Sequence, residues 1–165
     1  MRTTLPDDAL LSRYAVAEDG VALPHYTDCF RTRLPLAANL ETYVKAFYTT
    51  PLFRSERLVL RVFGIRSSDT EIDAVLSGQQ RNFAAWTVED KTDEQLLMCD
   101  LKARTRSWFW VVPDEEHTQL YFGSAVIAKN GELRPAYRAL IGLHQFYSHH
   151  LLSAARKRLI KHHRD

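Results

Sequence analysis

His144 is the side chain in this sequence best suited to acid–base chemistry. It lies in PAYRALIGLHQFYSHHLL, residues 135–152, where apolar residues recur at helical spacing and include it in their stripe. A polar ring inside such a stripe needs a hydrogen-bond partner, so one interpretation is a core histidine bonded to a neighbour. The other is that the stripe faces a cavity, where an imidazole can take up or release a proton near neutral pH.

Asp100 is the carboxylate that we expect to face His144 across such a cavity. It ends the apolar run QLLMCD and precedes the polar LKAR. In the cavity it would orient the imidazole or stay ionised beside Arg104 or Arg106. The structural alternative is that Asp100 only opens a turn, a position that aspartate favours. His144 and Asp100 are therefore our catalytic candidates.

Other chemistries have little support in the sequence. Ser107, Ser124 and Cys99 lie in strand patterns without a nucleophile elbow such as G-x-S-x-G. His144 and His149 are five residues apart and fall on different helix faces, unlike the zinc-binding H-E-x-x-H pattern. The glycine-containing turns match neither G-x-G-x-x-G nor a Walker loop. We therefore predict no metal and no cofactor.

Composition predicts one domain over residues 1–165, with an irregular arm at 1–24 and a basic helix end at 153–165. The net charge of +2 is too small to indicate a nucleic-acid partner. Two cysteines suit a reducing compartment, and the first residues lack a signal-peptide pattern. No run approaches the ~20 apolar residues of a membrane span. These features predict a cytoplasmic protein.

The first half of the chain predicts a strand followed by helices. Residues 25–34, HYTDCFRTRL, alternate in polarity, and the face that carries Asp28 is the more apolar. Asn39 can cap a helix that ends before Pro51, and LFRSERLVLRVFGI predicts a second helix. Ser68 and Glu71 suggest a capping box at the start of a third, shorter helix.

The second half predicts an antiparallel meander and a long helix. Four strand-like runs between Asn82 and Ala128 are separated by short polar turns, and a helix follows over residues 135–160. Segregated helices and strands indicate an α+β fold. We expect a curved antiparallel sheet that grips the C-terminal helix, with short helices between the first strand and the meander.

A tight turn at LKAR sets the pairing of the central hairpin. It places Met98 opposite Ser107 and Asp100 opposite Thr105, with all four on one face. That face is apolar with a few polar groups, as a small-molecule pocket requires. The predicted ligand-binding residues are Trp86, Met98, Asp100, Ser107, Phe109, Phe122, Ser124, Tyr137, Ile141, His144 and Ser148.

The other face of the sheet is also strongly apolar. It carries Leu97, Cys99, Trp108, Trp110 and Tyr121. A bare aromatic face is unfavourable in water, so it needs a cover. The candidates are the short helices or a second subunit, which would make the protein a homodimer. A register slip of one residue would exchange the two faces.

Over residues 25–152 the order of elements resembles the START-like, or helix-grip, superfamily of lipid carriers and polyketide cyclases. Three segments carry a closer likeness to an uncharacterised bacterial branch of it: YTDCF; LLMCD followed by RTRSWFWV; and RPAYRALIGLHQF. The resemblance implies a central cavity between the concave sheet face and the last helix.

Three functions remain open at this point. The first is binding of a hydrophobic or lipid-like small molecule in the cavity. The second is a cyclase-like enzyme that uses His144 and Asp100 for acid–base chemistry. The third is a dimeric interaction module with a filled core and no ligand.

Overall fold

The computed structural model describes residues 1–62, 64, 67–133 and 135–163, apart from the side chains of 56, 59, 60, 135–140 and 143. A 3₁₀ helix at Leu10–Tyr14 precedes the first strand. The later elements are β1 (Tyr26–Leu34), α1 (Leu40–Tyr48), α2 (Pro51–Val62), α3 (Asp69–Leu76), β2 (Asn82–Phe83), β3 (Trp86–Lys91), β4 (Gln95–Asp100), β5 (Thr105–Pro113), β6 (Thr118–Val126) and α4 (Pro135–His162).

The strands form one antiparallel sheet in the order β1-β6-β5-β4-β3-β2. The sheet is curved and unclosed, and α4 packs against it. The predicted α+β fold is therefore confirmed. None of the described helices combines the length and the apolar character needed to cross a bilayer.

Local sequence signals explain most element ends. Asn39 Oδ1 accepts the backbone N–H of Thr42 at 2.9 Å, and this capping box starts α1. The box predicted for α3 is wrong: the Ser68 hydroxyl makes no cap hydrogen bond and lies 2.8 Å from Thr70 Oγ1. Gly78, with a φ of +77°, follows that helix, as expected for a C-terminal glycine.

The meander has five strands rather than the four predicted, because a two-residue strand, β2, pairs with the start of β3. The hairpin between β4 and β5 has the predicted register, with Met98 opposite Ser107 and Leu96 opposite Phe109. Its turn is held by Asp100, whose Oδ1 accepts the backbone N–H groups of Arg104, in the turn, and of Thr105, the first residue of β5.

The main core lies on the predicted face of the sheet, beneath α1 and α4. Phe109 from β5 and Leu96 from β4 are fully buried there against Tyr43 and Phe47 of α1. Farther along, α4 contributes buried apolar side chains to the same cluster, among them Leu151. The short helices therefore lie on the same side of the sheet as α4.

The second apolar face is covered by the N-terminal arm, not by the short helices. Leu11 of the 3₁₀ helix packs with Leu97 and Trp108, and all three are fully buried. Gln95 fixes the arm there, because its Oε1 accepts both Leu10 N–H and Trp108 Nε1–H. The homodimer stays a prediction. It was predicted because this face needed a cover, and the arm supplies that cover.

Contacts on either side of the 3₁₀ helix also hold the arm. Its first residues run beside β1, where Thr3 N–H donates to Cys29 O at 2.9 Å and covers the free edge of the sheet. Beyond the 3₁₀ helix, Tyr14 bonds Glu89, and the Arg106 guanidinium donates to both. The irregular arm is thus an integral layer of the fold.

Candidate functional site

A cavity of about 240 Å³ lies between α4 and the concave face of the sheet. Helices α1 and α2 close it from the side. Its lining is mainly aromatic and aliphatic, with a few polar groups from β5 and α4. The lining residues are Phe47, Tyr48, Phe53, Trp86, Thr105, Arg106, Ser107, Phe122, His144, Tyr147, Ser148 and Leu151.

Five of the predicted ligand-binding residues border this cavity: Trp86, Ser107, Phe122, His144 and Ser148. The other residues have different positions. Met98 and Phe109 are fully buried in the core, and Ser124 lies behind the wall. Ile141 is half-buried on α4 away from the lining, and the Tyr137 side chain lies outside the described residues.

Asp100 does not border the cavity either. Its Oδ1 accepts the backbone N–H groups of Arg104 at 2.6 Å and Thr105 at 2.8 Å. Its Oδ2 accepts the N–H of Lys102 at 3.3 Å. Asp100 therefore has the structural role that was the alternative to catalysis: it holds the β4–β5 turn.

The hydrogen-bond partner of His144 is Ser124. Its Nε2 lies 2.6 Å from Ser124 Oγ, which lies 2.5 Å from Oδ1 of Asp28. The same carboxylate oxygen accepts the backbone N–H of Ser124 at 3.0 Å. Asp28 and Ser124 are 4% and 2% exposed, so an imidazole on the cavity wall is linked through a hydroxyl to a buried carboxylate.

A second chain of bonds reaches Asp28 from the neighbouring residue on α4. Gln145 Nε2 donates to Tyr26 OH at 2.7 Å, and Tyr26 donates to Asp28 Oδ2 at 2.9 Å. Burial, together with the negative charge of Asp28, raises the pKa of Tyr26 to about 12. Tyr26 therefore remains a donor throughout the neutral range. Two adjacent α4 side chains are thus anchored to one carboxylate.

Sheet register brings these groups together. Asp28 on β1 pairs with Ser124 on β6, and Ser124 pairs with Ser107 on β5. Paired residues point to the same face, so the three form a polar row across the apolar concave surface. Asp28 was not among the residues predicted for the site. The available signal was an aspartate on the more apolar face of β1, between Tyr26 and Phe30.

Arg106 contributes no free charge to the cavity. Its Nε donates to Tyr14 OH at 3.0 Å and to Glu89 Oε2 at 2.5 Å on the opposite face of the sheet. Burial lowers the pKa of Arg106, but the hydrogen bond that it donates to Tyr14 and the charge of Glu89 outweigh this effect and leave that pKa raised. Its positive charge therefore fastens the N-terminal arm.

Ser148 is the most unusual polar group on the cavity wall. Its side chain is 1% exposed, and its Oγ has no hydrogen-bond partner among the described residues. An unsatisfied buried hydroxyl costs about 1–3 kcal/mol. The oxygen is closed off from solvent in this rotamer, and a rotation of the side chain towards the cavity would let a bound molecule satisfy it.

The arrangement differs from a serine-protease type of triad. There the carboxylate contacts the imidazole and the serine faces the substrate. Here the serine lies between the two, and both sides of its oxygen are occupied. Ser124 is therefore not placed as a nucleophile. Among the described residues, no three His, Cys, Asp or Glu side chains cluster as metal ligands do.

A second, more open cleft of about 470 Å³ lies between α1 and the C-terminal end of α4. Its floor includes Ala38, Ala46 and Leu159, and Arg158 and His162 lie at its rim. It contains none of the predicted site residues. The smaller cavity, where a polar network reaches an aromatic wall, is the candidate site.

No protein-family model matches the sequence, and no curated protein matches it significantly.

Proposed function

We propose that this protein binds a compact hydrophobic molecule in the cavity between α4 and the sheet. The observation that carries the proposal is the combination, in one small space, of an aromatic wall, an anchored imidazole and an unpartnered serine hydroxyl. Apolar walls with a few fixed polar groups are typical of small-molecule sites. The aromatic rings supply contact area, and the polar groups orient the ligand.

The size of the cavity favours a single-ring molecule over a long-chain lipid. Drug-sized ligands occupy pockets of roughly 300–1,000 Å³. The volume of about 240 Å³ lies below that range. Among hydrophobic ligands, we therefore favour a compact ring over an extended acyl chain.

The element order also supports this function, because it resembles START-like proteins that hold ligands between a sheet and a C-terminal helix. We include membership of that superfamily in the proposal. The resemblance covers residues 25–152 and does not name a ligand. The class of ligand has to be inferred from the side chains that line the cavity.

Binding of single-ring aromatic probes tests the proposal. Toluene, phenol and aniline are titrated separately into the protein while the NMR signals of Trp86 and His144 are followed. We expect saturable shifts with at least one probe. Native mass spectrometry of the freshly purified protein then searches for a compact molecule that co-purifies with it.

Two leucine variants provide the control. Ser107→Leu adds bulk to the cavity wall and should abolish the saturable shifts. Gln119→Leu introduces the same side chain on a neighbouring strand, outside the cavity lining. It should leave the saturable shifts unchanged. The proposal is wrong if no probe saturates the wild type, or if binding survives Ser107→Leu undiminished.

An acid–base enzyme is the second candidate, supported by the link from His144 through Ser124 to Asp28. In an enzyme, loss of a general base lowers the rate by about 10²-fold or more. The compound recovered from the purified protein would be incubated with the wild type and with His144→Leu. Conversion by the wild type alone favours the enzyme, and recovery of unchanged compound from both favours binding.

A further inference from the structure

The network behind His144 determines which of its ring nitrogens carries the proton. Asp28 accepts three hydrogen bonds: Tyr26 OH at 2.9 Å, Ser124 N–H at 3.0 Å and Ser124 Oγ at 2.5 Å. An ionised carboxylate only accepts, and all three of these partners donate to it. The short bond to Ser124 Oγ lies in the range of a charge-assisted O–H···O⁻ contact.

The hydroxyl of Ser124 has a single proton, and Asp28 receives it. Its oxygen must therefore accept from its other neighbour, Nε2 of His144, at 2.6 Å. In a neutral imidazole one nitrogen donates and the other accepts. With its proton on Nε2, a neutral His144 has an unprotonated Nδ1, and that nitrogen is an acceptor.

The rest of the wall offers little to an acidic ligand. Arg106 directs its guanidinium to Glu89 and Tyr14 on the other face of the sheet. The remaining polar side chains of the wall are hydroxyls, including those of Ser107 and Ser148. The charge of Asp28 lies behind the wall, where it repels an anion in the cavity.

We infer that the cavity selects a neutral single-ring molecule that donates a hydrogen bond to Nδ1 of His144, with phenol as the simplest example. This inference rests on the proposed function, because it names the class of ligand for the same site. Such a molecule places its ring among Phe47, Tyr48 and Trp86 and its donor on the imidazole. Ser148 Oγ lacks a partner and is closed off from solvent, and a rotation of its side chain towards the cavity would bring it to the same ligand as a second polar contact.

Three probes of similar size separate the possible ligand chemistries. Phenol donates a hydrogen bond, anisole has the same ring without a donor, and benzoate carries a negative charge. Affinities for the wild type are measured by NMR titration of the Trp86 signals at neutral pH. We expect phenol to bind roughly 3–10-fold more tightly than anisole, as one neutral hydrogen bond allows, and benzoate to bind most weakly.

Two variants show whether His144 causes the preference. In His144→Leu, phenol and anisole should bind equally. In His150→Leu, which changes an exposed histidine of the same helix, the preference should persist. A ¹⁵N spectrum of the histidine rings gives an independent measurement, and it should show the proton of His144 on Nε2.

The outcomes separate this inference from the proposed function. If none of the three probes binds the wild type, both are wrong. If phenol and anisole bind equally, or benzoate binds best, the cavity is a ligand site but the inference about a donor is wrong. A proton on Nδ1 of His144 also overturns the inference, whatever the affinities are.

Discussion

Ser124 Oγ and His144 Nε2 lie 2.6 Å apart, and this bond joins the sixth strand to the last helix. Behind it, Asp28 accepts hydrogen bonds from Ser124 and Tyr26. Gln145, next to His144, bonds Tyr26, so both links from the helix end at the same buried carboxylate. The network that orients the imidazole therefore also fixes the position of α4.

Replacement of that carboxylate is the first prediction. Asp28→Asn puts an amide NH₂ where the site presents only donors, so at least one buried donor loses its acceptor. We expect a loss of roughly 2–4 kcal/mol in the free energy of unfolding, measured by urea denaturation. Asp93→Asn, at an exposed position, is the matched control and should change stability by less than about 0.5 kcal/mol.

The variant also changes His144. Without an ionised acceptor at Asp28, the Ser124 hydroxyl is no longer committed to it, so the proton of the imidazole should no longer be confined to Nε2. The ¹⁵N spectrum of the folded variant reports this. A stability and a spectrum both equal to those of the wild type would contradict the role given to Asp28.

Ser148→Ala should increase the stability of the ligand-free protein. The change removes a buried hydroxyl without a partner among the described residues and introduces the best helix former. Ser153→Ala, about one and a half turns further along α4, is the control, because it changes helix propensity alone. We expect Ser148→Ala to gain about 1 kcal/mol more than this control in thermal or urea unfolding.

The same substitution should weaken binding. If Ser148 Oγ contacts the ligand, phenol affinity should fall by roughly 2–10-fold in Ser148→Ala and stay unchanged in Ser153→Ala. A gain in stability without a loss of affinity would show that the ligand does not use this hydroxyl. A loss of stability would contradict its description as unsatisfied.

Sequence patterns predicted the scaffold well and the site only in part. Alternation and short turns determine which residues of a hairpin pair, so the register of Met98 with Ser107 was predictable. The periodicity of α4 likewise indicated that His144 faces the sheet. Both signals are local, and local signals define secondary structure and the faces of each element.

The partner of His144 was not predictable in this way. Asp100 is near the cavity residues in sequence, whereas Asp28 is separated from Ser124 by 96 positions along the chain. Only the pairing of β1, the strand at one edge of the sheet, with β6 brings them together. The cover of the second face was missed for a similar reason, since the arm around Leu11 has no strong periodicity.

Gly123, on β6, lies next to Leu11 of the N-terminal arm, Trp108 of the sheet and the backbone of Asp28. A Cβ at this position would lie 2.8 Å from Asp28 O, 2.8 Å from Leu11 Cδ2 and 2.9 Å from Trp108 Cε3. Gly123→Ala should therefore destabilise the protein by about 1–3 kcal/mol through overpacking. Trp108 fluorescence during urea unfolding measures the loss.

Gly142 in α4 is the contrasting position. A Cβ there has no heavy atom within 4 Å, and the residue is in a helix. Gly142→Ala should stabilise the protein by about 0.5–1 kcal/mol, since alanine is the better helix former. If Gly123→Ala stabilises the protein as Gly142→Ala does, the tight packing of the arm over β6 is not as described.

Alkaline pH provides the last test, through Tyr26. Burial and the charge of Asp28 raise its pKa to about 12, above the ordinary value of about 10 that we expect in the unfolded chain. A raised pKa means that the folded state retains the proton longer than the unfolded state. The stabilisation is therefore complete below pH 10 and is lost as the pH rises towards 12.

Tyr26→Phe isolates this contribution, because phenylalanine cannot ionise and the other tyrosines are unchanged. The wild type should be more stable than the variant at pH 8, since the variant lacks the donor to Asp28. This advantage should stay constant up to about pH 10 and shrink above it, as measured by urea unfolding at a series of pH values. An advantage that stays constant up to pH 11.5 would mean that Tyr26 ionises like a solvent-exposed tyrosine, and the phenol would then not be held against Asp28.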